Sequence, residues 1–173
     1  LHDALPISSE YRKNYLMHAP IGPSAACAYF NDSFTVYSHS QSLFALKKSL
    51  CSYFNVEQDK MTLKHVPGSG CYGHNGADDV AFEAALLSKE FPKCHILLKW
   101  TREDEHCWEP YGSASMNKLK GAIDSEGKII YWSNEAYSDT YLSRPSETEL
   151  YNFISFKFLI NDFTKKKYKP KTS

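Results

Sequence analysis

The sequence predicts an α+β fold with helices on one face of a mixed sheet. Three observations carry this. Short β-branched and aromatic runs alternate with two amphipathic helical stretches, a glycine-rich loop joins a strand to the second of those helices, and two later strand-like runs flank the turn Ser125-Glu126-Gly127. Twelve Tyr and ten Phe among 173 residues suit a sheet better than a helical bundle, because aromatic side chains are favoured on a pleated surface.

Pro20, Gly22 and Pro23 mark an irregular entry, and the apolar run 25–30 follows. Asn31-Asp32 is a turn signal leading into Phe34-Thr-Val-Tyr-Ser-His39, a strand by its β-branched and aromatic content. Leu43, Leu46, Leu50 and Phe54 recur at helical spacing with Lys47 and Lys48 on the other face, which predicts a helix over 42–54. Residues 61–66 read as a second strand and break into a loop holding Gly68, Gly70, Gly73 and Gly76. A helix from Ala77 comes next. Val80, Ala84, Leu87 and Phe91 form its expected core stripe, and Ala81, Ala84 and Ala85 make a small-residue face able to approach a sheet. Asp78 and Asp79 in its first turn and Lys89 in its last complement the helix dipole, and Pro92 ends it. Residues 95–100 are a third strand, and 101–105 a charged connection whose Glu103, Asp104 and Glu105 read as solvated. Residues 116–123 and 128–137 then form a hairpin, with Gly127 supplying the permissive backbone of its turn.

The two ends are expected to stand apart from this domain. Leu1-His-Asp-Ala-Leu-Pro-Ile7 resembles a translated sequencing adapter and is set aside as an artefact, leaving 8–145 as the domain. Residues 146–173 are expected to be a continuation or linker, closing in the basic run Lys165-Lys-Lys-Tyr-Lys-Pro-Lys-Thr-Ser173, a solvated tail by composition.

Twenty basic and twenty acidic residues cancel, which removes a general electrostatic case for nucleic-acid or membrane-surface binding. No apolar run approaches the roughly 18 residues of a membrane span. Five cysteines are an odd number without scaffold spacing, so reduced thiols are expected. Cys71, His74, Cys94, His95, His106 and Cys107 contain no Cys-x2-Cys pair and fit no common zinc pattern.

Two features point to ligand chemistry. Strand, glycine loop and helix is an arrangement that brings backbone N–H groups up to an anionic or oxo-bearing ligand. The loop lacks a P-loop ending. Gly68-x-Gly70-x-x-Gly73 matches the bare dinucleotide pattern but has no acidic partner downstream. Gln41 lies where a strand ends and a helix begins, a place where a lone glutamine is more often a cap or surface residue but from which side chains also reach ligands. His18, His39, His65 and His74 have no serine or cysteine at diagnostic spacing, so no hydrolytic triad is drawn.

Taken together the motifs match a known family. His18-Ala-Pro-Ile-Gly-Pro-Ser, Tyr37-Ser-His-Ser-Gln41, Gly70-Cys-Tyr-Gly-His-Asn-Gly-Ala-Asp-Asp79, Trp100-Thr-Arg-Glu-Asp-Glu105, Trp108-Glu-Pro-Tyr-Gly112 and Arg144-Pro145 occur in order over residues 18–145. This stretch resembles the molybdopterin-binding large subunit of the xanthine dehydrogenase and aldehyde oxidase family, in the branch of isoquinoline 1-oxidoreductase and nicotinate dehydrogenase.

The resemblance implies a molybdenum-binding domain. It implies that Gln41 lies near the apical oxo ligand of molybdenum and that Tyr72-Gly73, in the loop with Gly70, lies against metal and pterin. Tyr72 replaces the family's more usual Phe. A glutamine amide donates to an oxo group, and a glycine lets the backbone approach without a Cβ. The implied cofactor is a molybdopterin, in its cytosine dinucleotide form, with iron–sulfur clusters on a separate small subunit. The implied reaction is hydroxylation of an N-heterocycle or an aldehyde, with water as the oxygen source. The family's base, a glutamate in a Gly-rich motif, is expected beyond residue 173, so neither Glu83 nor Glu105 is given that role and no catalytic residue is assigned. Location is left open between cytoplasm and periplasm.

Two rival readings make different predictions. A non-catalytic α+β interaction domain predicts that 8–173 is a stable soluble monomer, whereas the molybdenum reading predicts exposed apolar surface around Phe153–Ile160. A nucleotide-binding enzyme predicts thermal protection by ATP or NAD.

Overall fold

The structure is a computed structural model, described here for residues 5–139, 144–146 and 150–159. The basic run 165–173 and Ile160 lie outside the described residues. The described chain divides into two compact units, one built on 5–16 and 111–139, the other on 17–110, 144–146 and 150–159.

The first unit is a three-stranded antiparallel sheet built from β1 (Leu5–Lys13), β6 (Ser115–Ile123) and β7 (Ile129–Ser138), in the order β1-β6-β7. The hairpin of β6 and β7 lies where the sequence puts it. Gly127 takes φ +83° in its turn, and Asp124 Oδ1 accepts from the N–H groups of Glu126 (3.0 Å) and Lys128 (2.9 Å). Strand β1 is the unforeseen element. It pairs along β6 from Leu5 opposite Ile123 to Lys13 opposite Ser115. Leu5, Ile7 and Tyr11 fall on alternate positions, but setting residues 1–7 aside hid the pattern.

The second unit carries β2 (Ala25–Phe30), β3 (Phe34–Ser38), β4 (Met61–His65) and β5 (His95–Lys99) in one mixed sheet, ordered β4-β3-β2-β5. Strands β2 and β3 form a hairpin turned at Asp32, whose φ is +60°. Strand β4 lies parallel to β3, so the chain crosses over between them through α1 (Leu43–Phe54). Helix α2 (Ala77–Glu90) follows the glycine loop and packs on β2, β3 and β5. Ala26, Ala28, Phe34 and Val36 of the sheet join Leu46, Leu50 and Phe54 of α1 and Val80, Ala81, Phe82, Ala84 and Ala85 of α2 in a single core. Both helices therefore cover one face of the sheet. The small inward residues of β2 meet the alanine face of α2, so helix and sheet approach closely.

Two readings need correction here. On α2, Leu87 and Phe91 are 37% and 59% exposed; Val80 and Ala84 of the expected stripe are buried, together with Ala77, Asp78, Asp79, Ala81, Phe82, Ala85 and Ser88. The helix is covered on a second side by the segment around Phe153, whose ring stacks on Phe82 with centroids 4.7 Å apart. For the same reason Phe153 is fully buried, so the exposed surface expected there is confined among the described residues to Phe158 and Leu159.

The third correction concerns 101–105. Thr101 caps α3 (Arg102–Trp108) in a reciprocal box: its Oγ1 accepts from Asp104 N–H at 3.1 Å, and Asp104 Oδ2 accepts from Thr101 N–H at 2.9 Å. The Thr101 N–H and the Thr101 hydroxyl, both donating to Oδ2, hold the Asp104 carboxyl below its ordinary pKa. Glu105 is not solvated but fully buried, because this short helix turns it inward.

Candidate cofactor-binding site

Gln41 stands on the short turn between β3 and α1. Serines pin that turn: Ser40 N–H donates to Ser38 Oγ and Ser42 N–H to Ser40 Oγ, each at 3.1 Å. The glutamine is exposed, but its amide is turned onto the glycine loop. Oε1 accepts from Gly73 N–H at 3.3 Å, and Nε2 donates to the Cys71 carbonyl. The two positions that the sequence singles out separately are thus one hydrogen-bonded unit.

Below this lip the loop is held from within. Asn75, fully buried, donates through Nδ2 to the Gly70 carbonyl at 3.3 Å and accepts from Ala77 N–H at 3.1 Å, which joins the loop to the start of α2. Gly70 (φ +126°) and Gly73 (φ +86°) both take backbone conformations that L-residues rarely adopt. A Cβ at Gly70 would lie 2.5 Å from the Tyr72 ring, whereas one at Gly73 would meet nothing nearer than His18 Nε2 at 3.5 Å. Tyr72 is 52% exposed, so its ring and the Gly73 backbone form the outer surface of the loop.

Arg144 closes the arrangement from the far end of the chain. Nη1 donates to Ser40 Oγ (3.0 Å) and Asp78 Oδ2 (2.8 Å), and Nη2 donates to the Gly73 carbonyl and lies 3.5 Å from Cys71 Sγ. Asp78 is buried at the head of α2, and Ser40 Oγ also donates to its Oδ1. Burial pushes the Asp78 carboxyl up from its ordinary pKa, while Arg144 and the Ser40 hydroxyl pull the other way. Sequence reasoning assigns Asp78 to the helix dipole and leaves Arg144 without a role of its own. The unused signal is Asp78-Asp79 ahead of an apolar helix with no basic residue nearby in sequence.

A second buried polar group backs the loop. Glu105 accepts from Ser24 N–H (2.7 Å) and Ser24 Oγ (3.0 Å). Glu109 accepts from His18 N–H, and its Oε1 lies 3.4 Å from His18 Nδ1. Burial raises the Glu109 carboxyl above its ordinary pKa, opposed by the His18 N–H and imidazole and reinforced by neighbouring Glu105. Burial pushes His39 down, with the Glu105 charge opposing. All five cysteines are free thiols.

Chemically, the lip offers the second N–H of the Gln41 amide beside a glycine without a Cβ, because the Gly73 N–H is taken by Gln41 Oε1 and the other Nε2 N–H by the Cys71 carbonyl. Gln41, Gly70, Tyr72 and Gly73 line neither of two clefts: one of about 450 Å³ lies between Cys27, Tyr37, Leu97 and the start of the glycine loop at Gly68 and Ser69, the other of about 530 Å³ around Trp100, Trp108 and Phe158. Among the described residues no group of His, Cys, Asp and Glu is placed to hold a metal ion by itself. A cofactor that brings its own metal ligands and needs hydrogen-bond donors fits this donor set.

The family model for the molybdopterin cofactor-binding domain matches residues 2–160. The chain belongs to that family. This molybdopterin-binding domain is 34% identical over 124 residues to a nicotinate dehydrogenase chain of Pseudomonas putida, an alignment spanning 71% of this chain and 10% of the relative. The chain thus spans about a tenth of the length of that relative. Among solved structures, quinoline 2-oxidoreductase from Pseudomonas putida 86 is similar with a TM-score of 0.64 at 12% identity, over 76% of this chain and 17% of that one. Aldehyde oxidoreductase from Desulfovibrio gigas is similar with a TM-score of 0.58 at 18% identity, over 78% of this chain and 15% of that one. These likenesses show that the chain shares its fold with part of those proteins. No helix of the described residues is long and apolar enough to cross a membrane.

Proposed function

We propose that this domain forms one wall of the active site of a molybdenum hydroxylase, with Gln41, Gly70, Tyr72 and Gly73 holding the cofactor. The observation that carries the reading is the bonding of the Gln41 amide to the Tyr72-Gly73 loop. Gln41 Nε2 has two N–H groups, and one is directed to the Cys71 carbonyl, which leaves the other for an oxo acceptor. Gly70 lets the loop fold over the Tyr72 ring, and Gly73 presents backbone without a side chain. Asn75 holds the loop from within.

The cofactor, a molybdopterin in its cytosine dinucleotide form, would supply the two-electron oxidation of a carbon centre with oxygen taken from water. The substrate is an N-heterocycle or an aldehyde. Oxidising its C–H bond to C–OH releases two protons and two electrons, and the electrons pass to iron–sulfur clusters on a small partner subunit. The chain's own share is to orient the cofactor and to set the hydrogen bonding of its oxo ligand.

The test uses the whole protein purified from a cofactor-competent host. Bound molybdenum with dye reduction that depends on a heterocycle or aldehyde supports the reading. Protein that is folded yet carries neither molybdenum nor pterin contradicts it.

A further inference from the structure

We propose that Arg144 is a positioning residue for the cofactor lip, a single guanidinium that sets Gln41 and Gly73 relative to each other. The inference rests on the reading of the lip as a cofactor wall and goes beyond it by naming what fixes the lip's geometry.

Gln41 and Gly73 lie on different segments, one after β3 and one before α2. Their direct bond, Gly73 N–H to Gln41 Oε1, is made between exposed partners at 3.3 Å and on its own is weak. The rigid connection is elsewhere. One edge of the Arg144 guanidinium engages Ser40 Oγ, the residue immediately before Gln41, and Asp78, the head of the helix that the loop enters. The other edge engages the Gly73 carbonyl and lies against Cys71 Sγ. Arginine's planar fork has donors on both edges and cannot lose its proton, so it joins two segments that a point charge would join only one at a time. The anchor is sound, because Asp78 is buried (its side chain 2% exposed) and paired at 2.8 Å. Arg144 itself does not form the lip. It acts through Ser40 and Gly73.

Arg144→Lys separates the two duties. Lysine keeps a cation beside Asp78, which protects the fold, but it cannot span from Asp78 and Ser40 to the Gly73 carbonyl. Three measurements on the whole protein follow. Amide hydrogen exchange across residues 71–73 of cofactor-free protein is expected to quicken about tenfold, which reports on the clamp with no cofactor present. In loaded protein, kcat is expected to fall by roughly 10–100-fold with KM unchanged, the size of effect that supporting contacts around a metal have. The Mo(V) electron paramagnetic resonance signal is expected to shift.

A purely structural role would lower the unfolding temperature and leave kcat per bound molybdenum and the Mo(V) signal as in the wild type. That outcome overturns the proposal. Unchanged exchange at 71–73 overturns it as well, whether or not the wild-type protein carries molybdenum. Absence of molybdenum from wild-type protein with quickened exchange in the variant overturns the cofactor reading while leaving the clamp intact. If Arg144→Lys does not fold, Ser40→Ala removes the guanidinium contact on the Gln41 side, together with the Ser42 N–H and Asp78 Oδ1 bonds of that hydroxyl, and keeps the Arg144–Asp78 pair. The same shifts in smaller measure are expected, and unchanged exchange at 71–73 overturns the proposal.

Discussion

Gln41 Oε1 accepts the Gly73 N–H at 3.3 Å while Gln41 Nε2 donates to the Cys71 carbonyl on the same loop. The pair of bonds predicts a specific order of damage. Gln41→Ala removes both bonds where water can replace them, at a cost of about 1 kcal/mol. Gln41→Glu keeps an acceptor for Gly73 but sets a carboxylate oxygen against the Cys71 carbonyl, so it should be the worse variant. Thermal unfolding of the two proteins checks the order.

The two loop glycines should respond differently to alanine. Gly73→Ala meets ordinary contact with His18, so its cost is mainly backbone strain, about 1–2 kcal/mol. Gly70→Ala adds a clash with the Tyr72 ring at 2.5 Å and should cost more. Adding Tyr72→Ala should recover part of the loss at Gly70 and none at Gly73. Denaturant midpoints of the four proteins decide this.

Most of the second unit and the hairpin of the first were legible because those elements are locally encoded. Strand β3, helices α1 and α2 and the hairpin of β6 and β7 each carry their own periodicity or turn residue, and they begin and end within a residue or two of the sequence reading. Gln41 and Tyr72-Gly73 were singled out by motif resemblance, and the structure joins Gln41 to the loop by hydrogen bonds. What was missed depends on partners distant in sequence. Strand β1 exists through its pairing with β6, and Glu105 is buried because Ser24, 81 residues away, donates two bonds to it. Arg144 reaches Asp78 across 66 residues. A charge run or an acidic first turn looks solvated until such a partner is known.

Asp79 should make stability fall with rising pH. It is fully buried, its Oδ1 accepts from Ile154 N–H at 2.6 Å, and its Oδ2 has no hydrogen-bond partner among the described residues. Burial raises its carboxyl well above the ordinary value of 3.8, opposed by the Ile154 bond and reinforced by the nearby Asp78 and Glu83 carboxylates. The folded state therefore holds this proton more tightly than the unfolded chain. The contribution is fully present below the unfolded pKa and is lost as pH rises through the folded one. Asp79→Asn keeps an acceptor for Ile154 and cannot ionise. It should match the wild type in acid and exceed it at higher pH, read from unfolding temperatures across about pH 4–8. Parallel curves would contradict this.

Glu105 should be among the costlier carboxylates to truncate. Glu105→Ala leaves the fully buried Ser24 N–H without its acceptor and opens a void, a loss of about 3 kcal/mol. Glu105→Gln retains an acceptor and should lose less than half of that. Urea unfolding of both variants provides the comparison.

The central claim is that the Gln41–Gly73 lip faces the cofactor. A structure of the whole protein loaded with molybdenum cofactor tests it most directly, through the position of Gln41 Nε2. The account predicts that atom within hydrogen-bond distance, about 3 Å, of an oxo ligand on molybdenum, with Tyr72 and Gly73 against the cofactor. A loaded protein in which Gln41, Tyr72 and Gly73 face solvent, with the cofactor bound elsewhere, would contradict it.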